Sequence, residues 1–261
     1  MPLSTDYMSK TPDKQGRFAY TDAETAVWSD LFAMQMEALR KHACAAYLDG
    51  QEALGMSGEA VPQVTEIDAR LRNITGAGVQ AVDALIPQDE FSTLLSERRF
   101  PVSTFIRKRE HFDYIEEPDI FHECFGHCPM LTNNAFCQFM ERFGRLSLGL
   151  GEDYSERLFR LFWFTVEFGL IRQNGALKAF GAGIISSPEE LKWAMSGKPD
   201  VVPFDLMTVL RTPYRIDIVQ PVYFEIESFE QLARSIETDM RAALDTAREM
   251  GDLPTRFDQA A

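Results

Sequence analysis

Residues 158–171, LFRLFWFTVEFGLI, restrict the fold more than any other part of the chain. The stretch is apolar enough to demand burial, yet one anion, Glu167, lies deep within it. A buried carboxylate without a partner costs several kcal/mol or is driven to its neutral form. The fold must therefore bring something to Glu167. Arg160 or Arg172 is the plain candidate, and a helix face that reaches solvent is the other. The spacing predicts a long apolar helix over 153–174 that ends at Gly175.

A second constraint lies upstream. Residues 116–131, EEPDIFHECFGHCPML, hold two of the four histidines, His122 and His127. They stand five apart, not the four of a zinc-protease H-E-x-x-H. On an unbroken α-helix five residues turn about 500°, which leaves the side chains ~140° apart. Pro118 suits a helix start, Gly126 a helix end through positive φ, and Pro129 opposes resumption. The expectation is a helix that stops at Gly126, with His127 swinging back beyond it. Either histidine alone reads equally as a core side chain. A structural zinc site through Cys124 and Cys128 lacks a second Cys/His pair at the usual spacing.

Two histidines and one carboxylate together make a set that binds one face of a metal and leaves the other open, as in non-haem Fe(II) oxygenases. Phe121, Phe125, Phe136, Phe162, Trp163, Phe164 and Phe168 surround these positions in sequence. They are core formers first, and a dry pocket for reactive chemistry second.

The rest of the chain reads as mostly helical. Residues 1–20 are polar and read as a loose tail. Thr21 and Glu24 form a capping box for a helix running to about Gly50. Further helices follow Pro62, Pro87 and Ser187, and a last one covers 228–250, capped by Ser228 with Gln231. FPVSTFI, LKAFGAGII and RIDIVQPVYFEI read as strands, and the glycines of the second imply close backbone approach. No linker or repeat divides 21–261, so the expected architecture is one mostly α (α+β) domain with a few short strands. The net charge of −14 argues against nucleic acid and anionic lipid as partners. No apolar run is long enough to span a bilayer. Four cysteines at this length read as free thiols in a reducing compartment, and the expected location is cytoplasmic.

In series, LIPQDEFSTLLSERRFPVSTFIR, EEPDIFHECFGHCPML, LFWFTVEFGLI, KAFGAGIISS and YRIDIVQPVYFEIESF resemble the aromatic amino acid hydroxylases, and the short bacterial phenylalanine-hydroxylating members above all. The match covers roughly residues 60–235, in order. The resemblance implies a helical basket-like catalytic domain that uses iron, tetrahydrobiopterin and O2 to turn L-phenylalanine into L-tyrosine. It implies His122, His127 and Glu167 as iron ligands. Arg107 falls where the family clamps the substrate carboxylate, Trp163 where an aromatic lines the ring pocket, and Ser186 where a serine sits near the substrate's amino-acid end and helps orient a ligand histidine. Asp119 is expected to accept a ligand imidazole N–H from behind. For the pterin, Phe91 matches the stacking ring, Glu123 the carboxylate facing the pterin, and Ile86 and Gln88 the pterin loop. The sequence departs from the animal pattern at Pro87, Gln88 and Phe162, the last standing where a tyrosine is common. The resemblance further implies a monomer without regulatory domain or tetramerisation arm, and pterin recycling by separate enzymes.

Three other readings stand beside this one. The same chemistry on another ring position, or on tryptophan or tyrosine, differs by as little as ~1–3 kcal/mol of discrimination. A zinc hydrolase would use the same three ligands. A metal-stabilised interaction domain would show no turnover.

Overall fold

Helices dominate the computed structural model, which describes residues 7–83, 86–112, 115 and 117–257. The described strands form two small sheets. β1 (Gly78–Val82) and β2 (Arg99–Ser103) pair in parallel. β3 (Gly169–Gln173), β4 (Ala176–Ala179), β5 (Asp200–Pro203) and β6 (Val222–Ile226) form the other, in the order β4-β3-β6-β5. One contiguous apolar cluster runs from Phe18 to Ala247 and includes Trp28, Phe121, Phe125 and Phe139.

Local signals set many of the helix ends. Thr21 accepts from the Glu24 N–H, and Glu24 accepts from the Thr21 N–H, at the start of Asp22–His42. Ser187 caps Pro188–Ala194, with proline in its first turn. Other ends were decided by tertiary contacts. The first helix stops at His42 rather than near Gly50, because Ala43 turns extended and the Cys44 N–H bonds Ala179 O at 2.9 Å. The chain then re-enters a helix over Ala45–Ala53. The helix expected over 228–250 is two, Phe229–Ser235 and Met240–Met250, with Asp239 capping the second by accepting from the Ala242 N–H.

The long helix expected over 153–174 is also divided. Glu152–Phe162 is α-helical, and residues 169–173 are strand β3. Asn174 and Gly175 both have positive φ, 51° and 77°, and close a two-residue hairpin from β3 to β4. Asn-Gly is the strongest short hairpin signal, and it outweighs the helical spacing of the preceding leucine and isoleucine. Gly181 answers the close-approach expectation, since a Cβ there would lie 2.4 Å from Glu167 O. RIDIVQPVYFEI is strand only over 222–226, and the part before Pro221 is irregular.

The stretch 7–20, expected as a loose tail, lies against β1 and the segment after β2. Tyr7 and Phe18 are buried, Tyr7 stacks on Phe105 at 4.8 Å, and Ser9 Oγ donates to Val82 O at 2.7 Å. Residues 1–6 of that call lie outside the described residues.

Glu190 is a buried acid remote from the histidines in sequence. Its Oε1 accepts from the Tyr223 hydroxyl at 2.5 Å and from the Gln220 N–H at 3.0 Å. Burial, reinforced by Glu189, outweighs these donors and pushes its pKa up to about 7. Between its unfolded value and pH 7 the native state holds the extra proton, so this acid lowers stability as pH rises through that window. Glu190→Gln keeps an acceptor for both donors and removes the charge. Its melting temperature is expected to fall less than wild type's between pH 5 and pH 8, with a gain of about 3 kcal/mol at the upper end. Parallel thermal scans at the two pH values check this.

Candidate active site

The two segments that carry the expected ligands are both π-turns. Phe121–His127 is one, closed by the Cys128 N–H on Glu123 O, and Trp163–Glu167 is the other, followed by the Phe168 N–H on Trp163 O. An i→i+5 bond stacks residues five apart, so the obstacle of ~140° on an α-helix disappears. His122 and His127 face each other, with ring centroids 4.8 Å apart and Nε2 atoms 3.1 Å apart. The expected stop at Gly126 is overturned. Gly126 is buried inside the turn without positive φ, and its role is close packing, since a Cβ would lie 3.1 Å from Ala182 Cβ.

Glu167 completes the cluster. Its Oε1 lies 3.3 Å from His127 Nε2 and its Oε2 3.6 Å from His122 Nε2. Neither arginine of the plain reading reaches it. Arg160 pairs with Glu156 and Asp252, and Arg172 with Glu225. Burial pushes the Glu167 carboxyl up, but His127 and His122 outweigh it and hold it below the usual range. A second carboxylate, Glu123, also stands near the histidines, with ligand atoms of His122, Glu123 and His127 all within 4.8 Å. Burial, with Glu167 adding to it, pushes the Glu123 carboxyl well up. Of the two, Glu167 is closer and held towards the ionised form, and Glu123 is shifted towards the neutral form.

Ser186 sets the tautomer of His122. Its hydroxyl donates to Ala182 O at 2.8 Å, so it accepts from His122 Nδ1–H at 2.9 Å. That leaves His122 Nε2 unprotonated and aimed at His127 and Glu167. Burial lowers the His122 pKa to about 4, which keeps the ring neutral. Two imidazole nitrogens and one carboxylate converging this closely fit a divalent cation, and the N,N,O donor set suits iron.

The cluster lies in the floor of a cavity of about 550 Å³. Phe91, Ile86 and Gln88 line it, as expected for the pterin side, and so do Glu123 and Phe162. Arg107, Trp163 and Ser186 stand behind the lining. Arg107 is buried and grips Asp119 bidentately, Nε to Oδ2 at 2.8 Å and Nη2 to Oδ1 at 3.0 Å. This corrects the expectation for Asp119. Its oxygens serve Arg107 and the His122 backbone N–H, and the imidazole N–H goes to Ser186 instead. A guanidinium fork matches both carboxylate oxygens and is the stronger claimant. Despite burial, Arg107 holds the Asp119 carboxyl below its usual range.

A family model described as biopterin-dependent aromatic amino acid hydroxylase matches residues 3–246. The chain belongs to that family. A phenylalanine-4-hydroxylase of Vibrio cholerae is 44% identical over 254 residues, covering 97% of this chain and 88% of that protein. The apo structure of the cold-active phenylalanine hydroxylase of Colwellia psychrerythraea has a TM-score of 0.94 at 40% identity, covering 97% of this chain and 98% of that one. A Chromobacterium violaceum phenylalanine hydroxylase with bound oxidised Fe(III) has a TM-score of 0.88 at 35% identity, covering 94% and 89%.

Sequence reasoning missed several side chains of this hydroxylase cavity. Phe100 lines it and lies 4.4 Å from the His127 ring, centroid to centroid. Phe159 also lines it, one helical turn before Phe162, and that spacing was legible. Tyr214 lines it as well and stacks on Trp163 at 4.5 Å. It comes from an irregular loop, and nothing in the local sequence announces it. Ile86 and Gln88 follow residues 84 and 85, which lie outside the described residues.

Proposed function

We infer that the protein is a non-haem Fe(II), tetrahydrobiopterin-dependent monooxygenase that hydroxylates L-phenylalanine to L-tyrosine with O2. The observation that carries this is the convergence of His122 Nε2, His127 Nε2 and Glu167 in the floor of an aromatic cavity. The family membership and the phenylalanine hydroxylases among its relatives support the substrate.

In this reading His122, His127 and Glu167 hold the iron. When bound, the iron activates O2 together with the reduced pterin. The chain's own residues do the remaining work. Phe91 and Phe162, edge to face at 5.5 Å, form an apolar wall beside the pterin ring and exclude water. Ile86 and Gln88 border that wall. Glu123, buried and shifted towards its protonated form, faces the cavity where it can donate to an oxygen or ring nitrogen. Arg107, anchored by Asp119, offers its remaining N–H groups to the substrate carboxylate. Tyr214, backed by Trp163, shapes the ring end.

Ser186 acts on the metal through His122. Ser186→Ala removes the acceptor for Nδ1–H, and iron affinity is expected to fall about 10- to 100-fold with little loss of fold. Competition against a chelator during dialysis measures it.

The cellular setting follows the same reading: a monomer in the cytoplasm, using pterin recycled by other enzymes. The four cysteines are free and buried, as a reducing compartment allows. Among the described residues the exposed large apolar side chains, Met8, Ile74, Leu148, Ile216 and Met250, come from five separate segments, and singly exposed ones need no partner.

The test is anaerobic loading with Fe(II), then addition of O2, tetrahydrobiopterin and L-phenylalanine, with products separated by chromatography. L-tyrosine formed only when every component is present is the expected result. A hydroxylated product at another ring position, or only from tryptophan or tyrosine, moves the assignment within the family. No hydroxylated product from any aromatic amino acid, with iron bound, overturns it.

A further inference from the structure

We propose that Gln220 is a positioning residue: it ties the loop 212–221 to Trp163 and so fixes the ring end of the cavity where Tyr214 stands. The inference rests on the hydroxylase reading above and goes beyond the residues that reading names.

Gln220 is 1% exposed, and all its polar groups are engaged. Its Oε1 accepts from Trp163 Nε1–H at 3.1 Å. Its Nε2 donates to Arg215 O at 2.9 Å and Ile218 O at 3.0 Å, so the side chain folds the loop back on itself. Its backbone N–H donates to Glu190 Oε1 at 3.0 Å, and its carbonyl accepts from Trp193 Nε1–H at 2.9 Å. One residue therefore joins the helix Pro188–Ala194, the loop and the π-turn that begins at Trp163 and ends at Glu167.

Apart from Gln220, the loop is held by the Thr212 hydroxyl on Thr208 O at 2.8 Å and by an exposed Arg215–Asp217 pair that does not reach the cavity lining. It is irregular between Thr212 and Pro221, and it breaks a sequence pattern that reads as strand. Tyr214 nonetheless takes a defined place, stacked on Trp163 with an interplanar angle of 26° and edge-on to Phe164 at 6.3 Å. Trp163 is itself tilted against Phe168 at 4.6 Å. The indole is thus held at its edge by Gln220 and covered by Tyr214, which faces the cavity. A satisfied buried amide is costly to disturb, because each orphaned partner loses its hydrogen bond without gaining water. Removing the Gln220 amide frees the Arg215 and Ile218 carbonyls and the indole N–H together. The Tyr214–Trp163 pair then loses the restraint that sets its angle. Phe91 meets Tyr214 only through Phe162 and Phe159, so the pterin side is expected to change much less.

The test compares wild type with Gln220→Met, which keeps length and removes every side-chain hydrogen bond. Gln220→Glu is the second variant; it keeps an acceptor for Trp163 but loses the donors to the loop, and it carries the test if the first does not fold. Trp163→Phe, alone and combined with Gln220→Met, closes a double-mutant cycle. Read-outs are KM for L-phenylalanine and for the pterin, tyrosine formed per pterin oxidised, and L-phenylalanine affinity by calorimetry. Expected for the Gln220 variants is a rise in KM and Kd for L-phenylalanine of about tenfold, a fall in tyrosine per pterin, and a pterin KM within about twofold of wild type. In the Trp163→Phe background the added effect of Gln220→Met shrinks.

A folded Gln220 variant with unchanged L-phenylalanine KM and unchanged coupling overturns the proposal, and so does an equal rise in both KM values. A wild-type chain that makes no tyrosine yet binds L-phenylalanine sinks the assigned reaction alone, and calorimetry still reads the Gln220 effect. A wild type that does neither overturns both.

Discussion

Glu167→Ala loses iron, and Glu123→Gln keeps it. The first variant is expected to bind Fe(II) more weakly by more than about 100-fold, beyond the range typical of residues that only support a ligand. Tyrosine formation falls with it. The reason is geometric and electrostatic. Glu167 brings an oxygen to 3.3 Å from one imidazole nitrogen and 3.6 Å from the other, and the two histidines keep it ionised. Glu123 stands in the same group of potential ligands, but its carboxyl is buried and shifted towards the neutral form, and glutamine reproduces that shape. Metal analysis after dialysis, with circular dichroism to show that both variants fold, decides between the carboxylates. Iron retained in Glu167→Ala and lost in Glu123→Gln would transfer the third ligand to Glu123.

The largest loss of stability is expected at Asp119. The carboxylate is fully buried, and Arg107 is nearly so. Asp119→Ala leaves a buried guanidinium with no counter-charge, and it also strips the acceptor from the His122 backbone N–H. Breaking one side of such a pair costs about 3–5 kcal/mol. Urea unfolding at neutral pH measures it, and a loss below about 1 kcal/mol would show that Arg107 finds another partner. Under the proposed function the surviving folded fraction should also show a raised KM for L-phenylalanine, because the carboxylate that orients the Arg107 fork is gone. Removing both charges with a well-packed apolar pair would cost less stability than removing Asp119 alone, and it would restore no substrate affinity.

Much of the site was legible from residue chemistry. Glu167 in an apolar run had to be met by something, and the two histidines near a glycine were candidates beside Arg160 and Arg172. The caps at Thr21, Ser187 and Ser228 all form, because each rests on a side chain and a backbone N–H within three residues. The failures share a cause. Helical spacing over 169–174 could not compete with an Asn-Gly turn and a partner strand far away in the chain. The first helix broke where Ala179 claimed the Cys44 N–H. Asp119 was paired with an imidazole on general grounds, whereas the fold delivered an arginine with a better geometric match.

The sequence by itself determined which residues make the chemistry possible: a small set of metal-binding side chains, an apolar wall of phenylalanines and a set of helix caps. Their types and local spacing were enough, since capping and burial are short-range demands. Only the tertiary structure decided how the ligands meet. An α-turn and a π-turn differ by one residue of hydrogen-bond register, and the local chain has no strong reason to choose between them. Packing makes the choice, through Gly126 set closely against Ala182 and Gly181 against Glu167 O, where a Cβ at 181 would clash with backbone. The same holds for Tyr214, whose place in the cavity depends on a loop shaped by Gln220 rather than by any pattern of its own.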